Sequence, residues 1–560
     1  MPQARSIPPL LQAPPHPRHR GIARRCAAPA PHKLPHGESI GIADRIVHAR
    51  IGGRFWSRPD PAARAALDRL GEGAPMIRCD PAALPHLLTL CRARHPGRRV
   101  AIIGGETVPG VGLVHLDDRS DPWPAIDRLG TLYCDDLSAP FVALAALAGR
   151  PIVRLDREGE AVPVDTAALA GEIVADLVSG WHYTSPHDGG EWTLGDLLDY
   201  LALWRQTAER TAGIGVLLGI SRWKRARVRQ FLIGSPAARF ARTPDEASTE
   251  KGDGAIAIWP SRTDEAALVQ AAGPERVWRI EDGFIRSAGL GAAFVLPSSL
   301  ILDRSGIYYD PRSPSDLEQL LQTAEIPEVM RMRARALIAQ IRRAGATKYN
   351  LKEGLVPLPA GRKIVLVAGQ VADDQSVLAA GGGVTMAEMV AVARRENPEA
   401  FLIYKPHPDV VAKLRDGEGG EADIAANADL VLAAGDTHAL LERADEVHVL
   451  SSLLGFEALL RGCRVVAHGQ PFYAGWGLTD DRAPVARRTR SRSLDELAAA
   501  TLILYPLYVD PRSGLPCSPE HLLSAVTGAQ PPSAIRMRVA RGAAMLGKWT
   551  RSGSKTGFKP

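Results

Sequence analysis

A chain of 560 residues exceeds one ordinary domain, and 45% hydrophobic with 23% charged residues is a globular composition that excludes a mainly disordered or fibrous polymer. No run approaches the ~18 uninterrupted apolar residues that span a bilayer, and Cys26, Cys79, Cys91, Cys134, Cys463 and Cys517 lack CxxC or zinc-type spacing, so an integral membrane protein, a disulfide scaffold and a structural metal site are set aside. The net charge of +6 favours acidic partners, whether nucleic acid, sugar phosphate or lipid head group.

Residues 1–45 are rich in Pro, Arg and His, and no apolar core of signal-peptide length follows Arg5, Arg18, Arg20, Arg24 and Arg25. A disordered basic extension is expected there, with a cationic targeting segment as the alternative. From Arg99 the pattern turns α/β. Strands are predicted at Val100–Gly104, Pro151–Leu155, Ala255–Trp259, Arg276–Ile280, Leu300–Leu302, Ile364–Val367, Ala400–Tyr404, Glu446–Leu450 and Arg464–Ala467. Helices are predicted at Pro140–Ala148, Leu194–Arg229, Pro314–Ala324 and Val329–Ala344. Alternation of this kind predicts parallel, doubly wound sheets. The Gly- and Pro-bearing break at Lys348–Pro359 predicts a hinge between two of them.

The chain also matches itself. Ser138–Val153 aligns without gaps on Ser451–Val466, pairing Gly149 with Gly462. Further on, Tyr183, Pro186, Gly189, Leu197 and Leu198 fall on Tyr508, Pro511, Gly514, Leu522 and Leu523. The expected organisation is a basic extension at 1–45 and a partial module at 46–208. An intact module follows, with halves at 209–347 and 348–527, and a basic tail at 528–560.

Four segments of the intact module stand at the ends of predicted strands, where open α/β sheets bind ligands. Glu281-Asp-Gly-Phe-Ile-Arg-Ser287 offers a carboxylate for general acid or base work, or a plain Asp-Gly turn. Gly369-Gln-Val-Ala-Asp-Asp-Gln-Ser376 puts Asp373 and Asp374 at a helix entrance, where only one of them can be the cap. In Tyr404-Lys-Pro-His-Pro-Asp409, two prolines hold Lys405 and His407 on a fixed path, which suits a phosphate leaving group. Ser451 and Ser452 open a helix whose free N–H groups favour an anion. Glu457 lies among Leu453, Leu454, Phe456 and Leu459, where a ligand hydroxyl pair would account for it. The run Gly469–Asp481, with Tyr473 and Trp476, reads as a sugar-contacting loop. Together these features predict a GT-B glycosyltransferase of two Rossmann-like halves. No DxD metal motif stands at a fitting strand end, so cationic side chains are expected in its place.

The segments Glu281–Gly291, Pro297–Asp310, Lys405-Pro-His-Pro and Ser451–Asp481, with Trp223-Lys-Arg225, closely resemble the KpsC/LipA-type capsular polysaccharide proteins, in order over roughly residues 215–481. The resemblance implies capsule biosynthesis and export, and a retaining, metal-independent β-Kdo transferase that uses CMP-Kdo as donor substrate and no cofactor. The acceptor would be a lipid-linked glycan on a phosphatidylglycerol-type lipid at the cytoplasmic face of a Gram-negative inner membrane. Other capsule assembly proteins would be partners and nucleic acid would not. By the same resemblance, Lys405, His407, Ser451 and Ser452 contact the CMP phosphate and Glu457 the ribose. Asp373 or Asp374 is the covalent nucleophile, and Glu281 is the acid/base. Arg286, Ser287, Gln370, Tyr473 and Trp476 complete the substrate contacts. Nothing before residue 215 matches these motifs, and Leu144 falls where Glu457 stands, so the first module is expected to be truncated and catalytically dead. Two rival readings are another CMP-sugar transferase, sialyltransferase-like, and a non-catalytic export or scaffold protein.

Overall fold

Short runs of β-branched and small apolar residues become fully buried strands. In the computed structural model, which describes residues 10–15, 22–26, 36–57, 61–105, 109–156, 158–249, 254–285, 296–345, 357–411, 420–433 and 435–527, Ile364–Ala368 and Ala255–Ile258 are buried along their whole length. Strands covered on both faces need no polar alternation. The chain divides into two compact units, Met1–Arg210 and Thr211–Pro560.

In the first unit, β1 (Ala74–Arg78), β2 (Val100–Ile103), β3 (Leu113–Leu116), β4 (Leu129–Cys134), β5 (Ile152–Leu155) and β6 (Ala161–Pro163) form one sheet in the order β3-β2-β1-β4-β5-β6. All neighbours are parallel except β5 and β6. The strand β1 lies ahead of the point where the sequence pattern turns α/β. Pro75 within it hides it, and the register slips between Ala74 and Met76, as proline in a sheet requires. The described parts of the basic extension are structured. Leu10, Leu11 and Ile22 are buried, Ala23–Arg25 pairs with Trp181–Thr184, and a helix begins at His36. Those apolar side chains anchor a segment whose Pro and Arg content argued for disorder.

The second unit holds two sheets. Its strands are β7 (Ile214–Leu218), β8 (Arg239–Phe240), β9 (Ala255–Ile258), β10 (Val277–Asp282), β11 (Ser299–Asp303), β12 (Ile364–Ala368), β13 (Phe401–Lys405), β14 (Leu430–Val431), β15 (Glu446–Val449), β16 (Arg464–Ala467), β17 (Asp480–Asp481) and β18 (Leu507–Tyr508). One sheet runs β8-β7-β9-β10-β11-β18, and the other β14-β13-β12-β15-β16-β17. The second is parallel throughout. The fold is thus α/β and GT-B-like, with two Rossmann-like halves. The continuous helix expected over Leu194–Arg229 is interrupted. Leu194–Arg210 is helical, β7 follows, and a turn at Arg222–Lys224 leads into a helix at Arg225–Phe231. The run Ile214–Leu218 is apolar at every position but Gly215, a pattern that fits a helix or a buried strand equally well.

The self-matching segments occupy corresponding places. The strand order of the first unit equals that of the sheet β12–β17. Tyr183 Oη donates to the Leu177 carbonyl and Tyr508 Oη to the Leu502 carbonyl, each at 2.6 Å and six residues back.

The two halves of the second unit share one core. Glu328–Ala344 buries Ala334, Leu337, Ile338 and Ile341, one stripe at helical spacing, and stops at Gly345, whose φ of 60° suits a glycine cap. Phe284 and Tyr308 of the first half pack on Phe456 and Phe472 of the second, with the Phe284 and Phe472 centroids 5.0 Å apart. Arg488, buried, donates to Glu318 at 2.8 Å and to the carbonyls of Pro471 and Ala474. Burial pushes its guanidinium pKa down, and the Glu318 carboxylate opposes that shift. Residues 346–356, where the hinge is expected, and the tail 528–560 lie outside the described residues.

Candidate active site

The ends of β12, β13 and β15 meet where the strand order reverses, the ligand crevice of an open sheet. Their backbones approach closely. A Cβ on Gly369 would come within 2.7 Å of Tyr404 Oη and 2.9 Å of the Lys405 carbonyl, so only glycine fits at the β12 exit. The Gly369 N–H donates to that carbonyl at 2.8 Å. One residue on, Gln370 is buried and both ends of its amide are used by Ser451. Nε2 donates to Ser451 Oγ at 3.1 Å, and Oε1 accepts from the Ser451 N–H at 2.9 Å. This clamp makes Gln370 a positioning residue that fixes the β15 exit against β12.

The two aspartates separate by role. Asp374 is the N-cap of the helix Gln375–Ala380, accepting from the Ser376 N–H at 3.0 Å and from Ser376 Oγ at 2.8 Å. Asp373 is exposed and is not the cap. Lys405 closes β13, and its Nζ donates to the Gly435 carbonyl at 3.2 Å. Half-buried His407 follows Pro406, and its carbonyl accepts from Val410 and Val411, starting a short turn of helix.

At the β15 exit, Ser452 caps the helix Leu453–Leu459, its side chain accepting from the Leu454 N–H at 3.2 Å. Glu457 is 8% exposed on that helix. Arg461, buried four residues on, donates to the Glu457 carbonyl at 2.9 Å, and the Glu457 charge works against the burial that lowers the Arg461 pKa. Sequence reasoning passed over Arg461, although its four-residue spacing from Glu457 was the available signal.

Tyr473 and Trp476 do not face a sugar. Both are 0% exposed. Tyr473 Oη donates to the Ser452 carbonyl at 2.5 Å, and Trp476 Nε1 to the Phe472 carbonyl at 2.9 Å. Burial and satisfied donors make Tyr473 the floor under the serine turn and Trp476 a core ring of its own loop. A Cβ on Gly455 would strike Tyr473 Oη at 2.2 Å, which explains the glycine in that helix.

From the other half, Glu281 and Asp282 end β10. Asp282 pairs with Lys224 Nζ at 3.2 Å, and Lys224 lies 3.9 Å over the Trp259 ring. Glu281 stands beside Tyr309, whose phenol pKa is pushed up by burial first and by the Glu281 charge second. Phe284, three residues on, carries this strand end onto Phe456, the neighbour of Glu457. Arg286 and Ser287 lie outside the described residues. Among the described residues around this crevice, no three metal-ligating side chains converge.

The first unit has a cavity of about 490 Å³ at the ends of its own strands, lined in part by Arg54, Arg78, Arg119, Phe141 and Leu144. Leu144 is buried against Gly52, whose added Cβ would lie 2.8 Å from it. A leucine in that setting cannot replace the hydrogen-bonding capacity of Glu457.

Residues 254–357 and 332–508 match the family model described as capsule polysaccharide biosynthesis protein. Over 257 residues the chain is 45% identical to the lipopolysaccharide-processing protein LpsZ of Rhizobium meliloti, covering 45% of this chain and 58% of that one. Over 355 residues it is 37% identical to the capsule polysaccharide modification protein LipA of Neisseria meningitidis serogroup A, covering 62% and 49%. The chain thus spans about half the length of these curated relatives. A solved structure titled Thermosulfurimonas dismutans KpsC, beta Kdo 2,4 transferase, is 32% identical with a TM-score of 0.50, covering 56% of this chain and 98% of that one. With its Lys-Pro-His-Pro, Glu-Asp-Gly-Phe and double-serine strand ends gathered on one GT-B-like unit, the chain belongs to the KpsC/LipA family of capsule polysaccharide proteins.

Proposed function

We propose that the second unit is a retaining β-Kdo transferase of capsule polysaccharide biosynthesis, moving Kdo from CMP-Kdo to a lipid-linked glycan acceptor. The observation that carries this reading is the division of labour between Asp373 and Asp374. Asp374 is engaged as a helix cap, and we assign the covalent work to Asp373, the other carboxylate after β12; Lys405 and His407 follow from β13, the strand paired with β12. In the first displacement the Asp373 carboxylate attacks the anomeric carbon while the bond to the CMP phosphate breaks. Lys405 and His407 offset the charge that gathers on the departing phosphate, and Glu457 holds the ribose hydroxyls. In the second displacement Glu281 takes the proton of the acceptor hydroxyl, whose oxygen displaces Asp373 from the anomeric carbon. Two inversions give retention. The reaction occurs at the cytoplasmic face of an inner membrane and proceeds in the presence of EDTA, with the cationic side chains serving where other transferases use a divalent cation.

The test is CMP release from CMP-Kdo and from CMP-sialic acid, each with and without an acceptor ending in Kdo. Acceptor-dependent release from CMP-Kdo alone is expected. Preference for CMP-sialic acid would move the reading to a sialyltransferase-like enzyme, and release from neither would leave a non-catalytic export protein.

A further inference from the structure

The acceptor half carries a cationic notch that the reaction as described leaves unused. It has a volume of about 240 Å³ and is lined by Gly219, Ile220, Arg222, Arg225, Ala241 and Arg242. Three arginines line it, and among the described residues no Asp or Glu does. Gly219 turns out of β7 with φ of +76°, and a Cβ there would come within 2.6 Å of Thr263 Oγ1, so the strand exit at the notch must be glycine. Arg225 is held in place, with its guanidinium carbon 4.7 Å from the Phe240 ring centroid and its Nε donating to the Ile220 carbonyl at 3.3 Å. Arg222 begins the turn whose Lys224 is bound to Asp282, so the notch is tied to the strand end that carries Glu281. Glu246, on the neighbouring helix Pro244–Ser248, has its carboxylate bound to the backbone N–H of the notch residue Arg242 at 2.8 Å, so it lies at the rim and leaves the notch with a net positive charge.

Three like charges around one small concavity repel each other unless an anion enters. Planar guanidinium forks match carboxylate and phosphate oxygens two at a time. The volume falls below the ~300 Å³ at which pockets for whole small-molecule ligands begin, so it suits one charged group rather than a nucleotide. We propose that the Arg222–Arg225–Arg242 notch binds an oxyanion on the acceptor, either the carboxylate of its terminal sugar or the phosphate of its lipid, and so orients the acceptor hydroxyl toward Glu281. This rests on the reading of the second unit as a transferase with its acceptor on the Glu281 side.

The test uses the full chain, R225Q and the double variant R222Q/R242Q, whose two arginines are exposed and tolerate replacement. Four soluble acceptors are compared: a glycan ending in Kdo, its carboxyl-reduced form, and the same glycan on an alkyl phosphate or on a neutral alkyl chain. The double variant is expected to raise the acceptor KM at least tenfold, with the KM for CMP-Kdo within twofold of the parent. If carboxyl reduction alone reproduces the rise in the parent and the variant no longer distinguishes the two forms, the anion is the sugar carboxylate. If removal of the phosphate does so, it is the lipid phosphate. An unchanged acceptor KM with discrimination intact, or a rise in the CMP-Kdo KM instead, overturns the proposal. Calorimetric binding of the same acceptors separates this from a failure of the transferase reading. In a chain that transfers nothing, weaker binding by R222Q/R242Q still supports the notch, and equal binding rejects it.

Discussion

At residues 373 and 374 two identical side chains stand side by side, and hydrogen bonding separates them. Asp374 is a helix cap, so its loss is a stability effect of about 1 kcal/mol when alanine replaces it, and less with asparagine, which also caps. Asp373, proposed as the nucleophile, is not the cap. Asp373→Asn is expected to abolish transfer, whereas Asp374→Asn retains most activity. Intact-protein mass spectrometry after mixing with CMP-Kdo should show an adduct of one Kdo on Asp374→Asn and none on Asp373→Asn. Equal and mild losses in both would reject the double displacement. The sequence showed that only one could be a cap, because one helix entrance has one N-cap. It could not say which, since the choice depends on where the Ser376 N–H points. His407 was easier to read, because the flanking Pro406 and Pro408 restrict its backbone whatever the tertiary context.

At the scale of the element, the Gly469–Asp481 run was legible as a loop but not in its facing. A loop has no period from which to read an inward side, and the residues that bury this one are distant in sequence. Phe284 packs on Phe472, and Arg488 holds the Pro471 and Ala474 carbonyls. Tyr473 consequently supports Ser452 from below. Tyr473→Phe removes one of two donors to that part-buried carbonyl, which keeps the Gly455 N–H at 3.1 Å, and is expected to cost roughly 1 kcal/mol of stability. The readout is Tm together with donor KM. A lowered Tm with near-normal turnover by the folded enzyme fits a floor residue, while an unchanged Tm with a raised donor KM would return the ring to the ligand. The same limit explains the Leu194–Arg229 stretch. Its 17-residue helix has the periodicity to be found, but β7 is apolar at all of its positions save Gly215 and shows no period, and its pairing with β8 and β9 is non-local.

For the whole molecule, strand alternation in the sequence was enough to give the class of fold, because connections in parallel sheets are short and repetitive. Buried charge networks were not visible in the same way, since their members come from separate strands. Glu446 is the clearest case. It is 1% exposed, accepts from His448 Nε2 at 2.7 Å, pairs with Lys363 at 2.8 Å and Arg464 at 2.7 Å, and takes a bond from Asn397 at 2.9 Å. The His448 hydrogen bond leads the interactions that hold its carboxyl far below the ordinary carboxylate range, against burial that pulls the other way. Next along, His468, 2.9 Å from His448, is lowered to about 4, by burial first and then by the neighbouring His448. A depressed carboxylate stabilises the fold above its unfolded pKa near 4.5 and loses that contribution as pH falls toward the folded value. A depressed histidine acts in the same direction. Between its ordinary 6.5 and about 4 the unfolded chain binds a proton that the folded chain does not. Both shifts therefore predict that the second unit loses stability on acidification, beginning below pH 6.5 and steepening below 4.5. Glu446→Gln, which removes the carboxylate that the half-exposed Lys363 and Arg464 share, is expected to cost roughly 1–3 kcal/mol at pH 7 and to flatten the dependence below pH 4.5, while the His468 contribution between 6.5 and 4 persists. Calorimetric Tm from pH 3 to 8 for parent and variant measures this. Parallel profiles with a constant offset would mean that Glu446 is not the group whose protonation unfolds the sheet, and that its bonds to His448, Lys363 and Asn397 contribute equally in both protonation states.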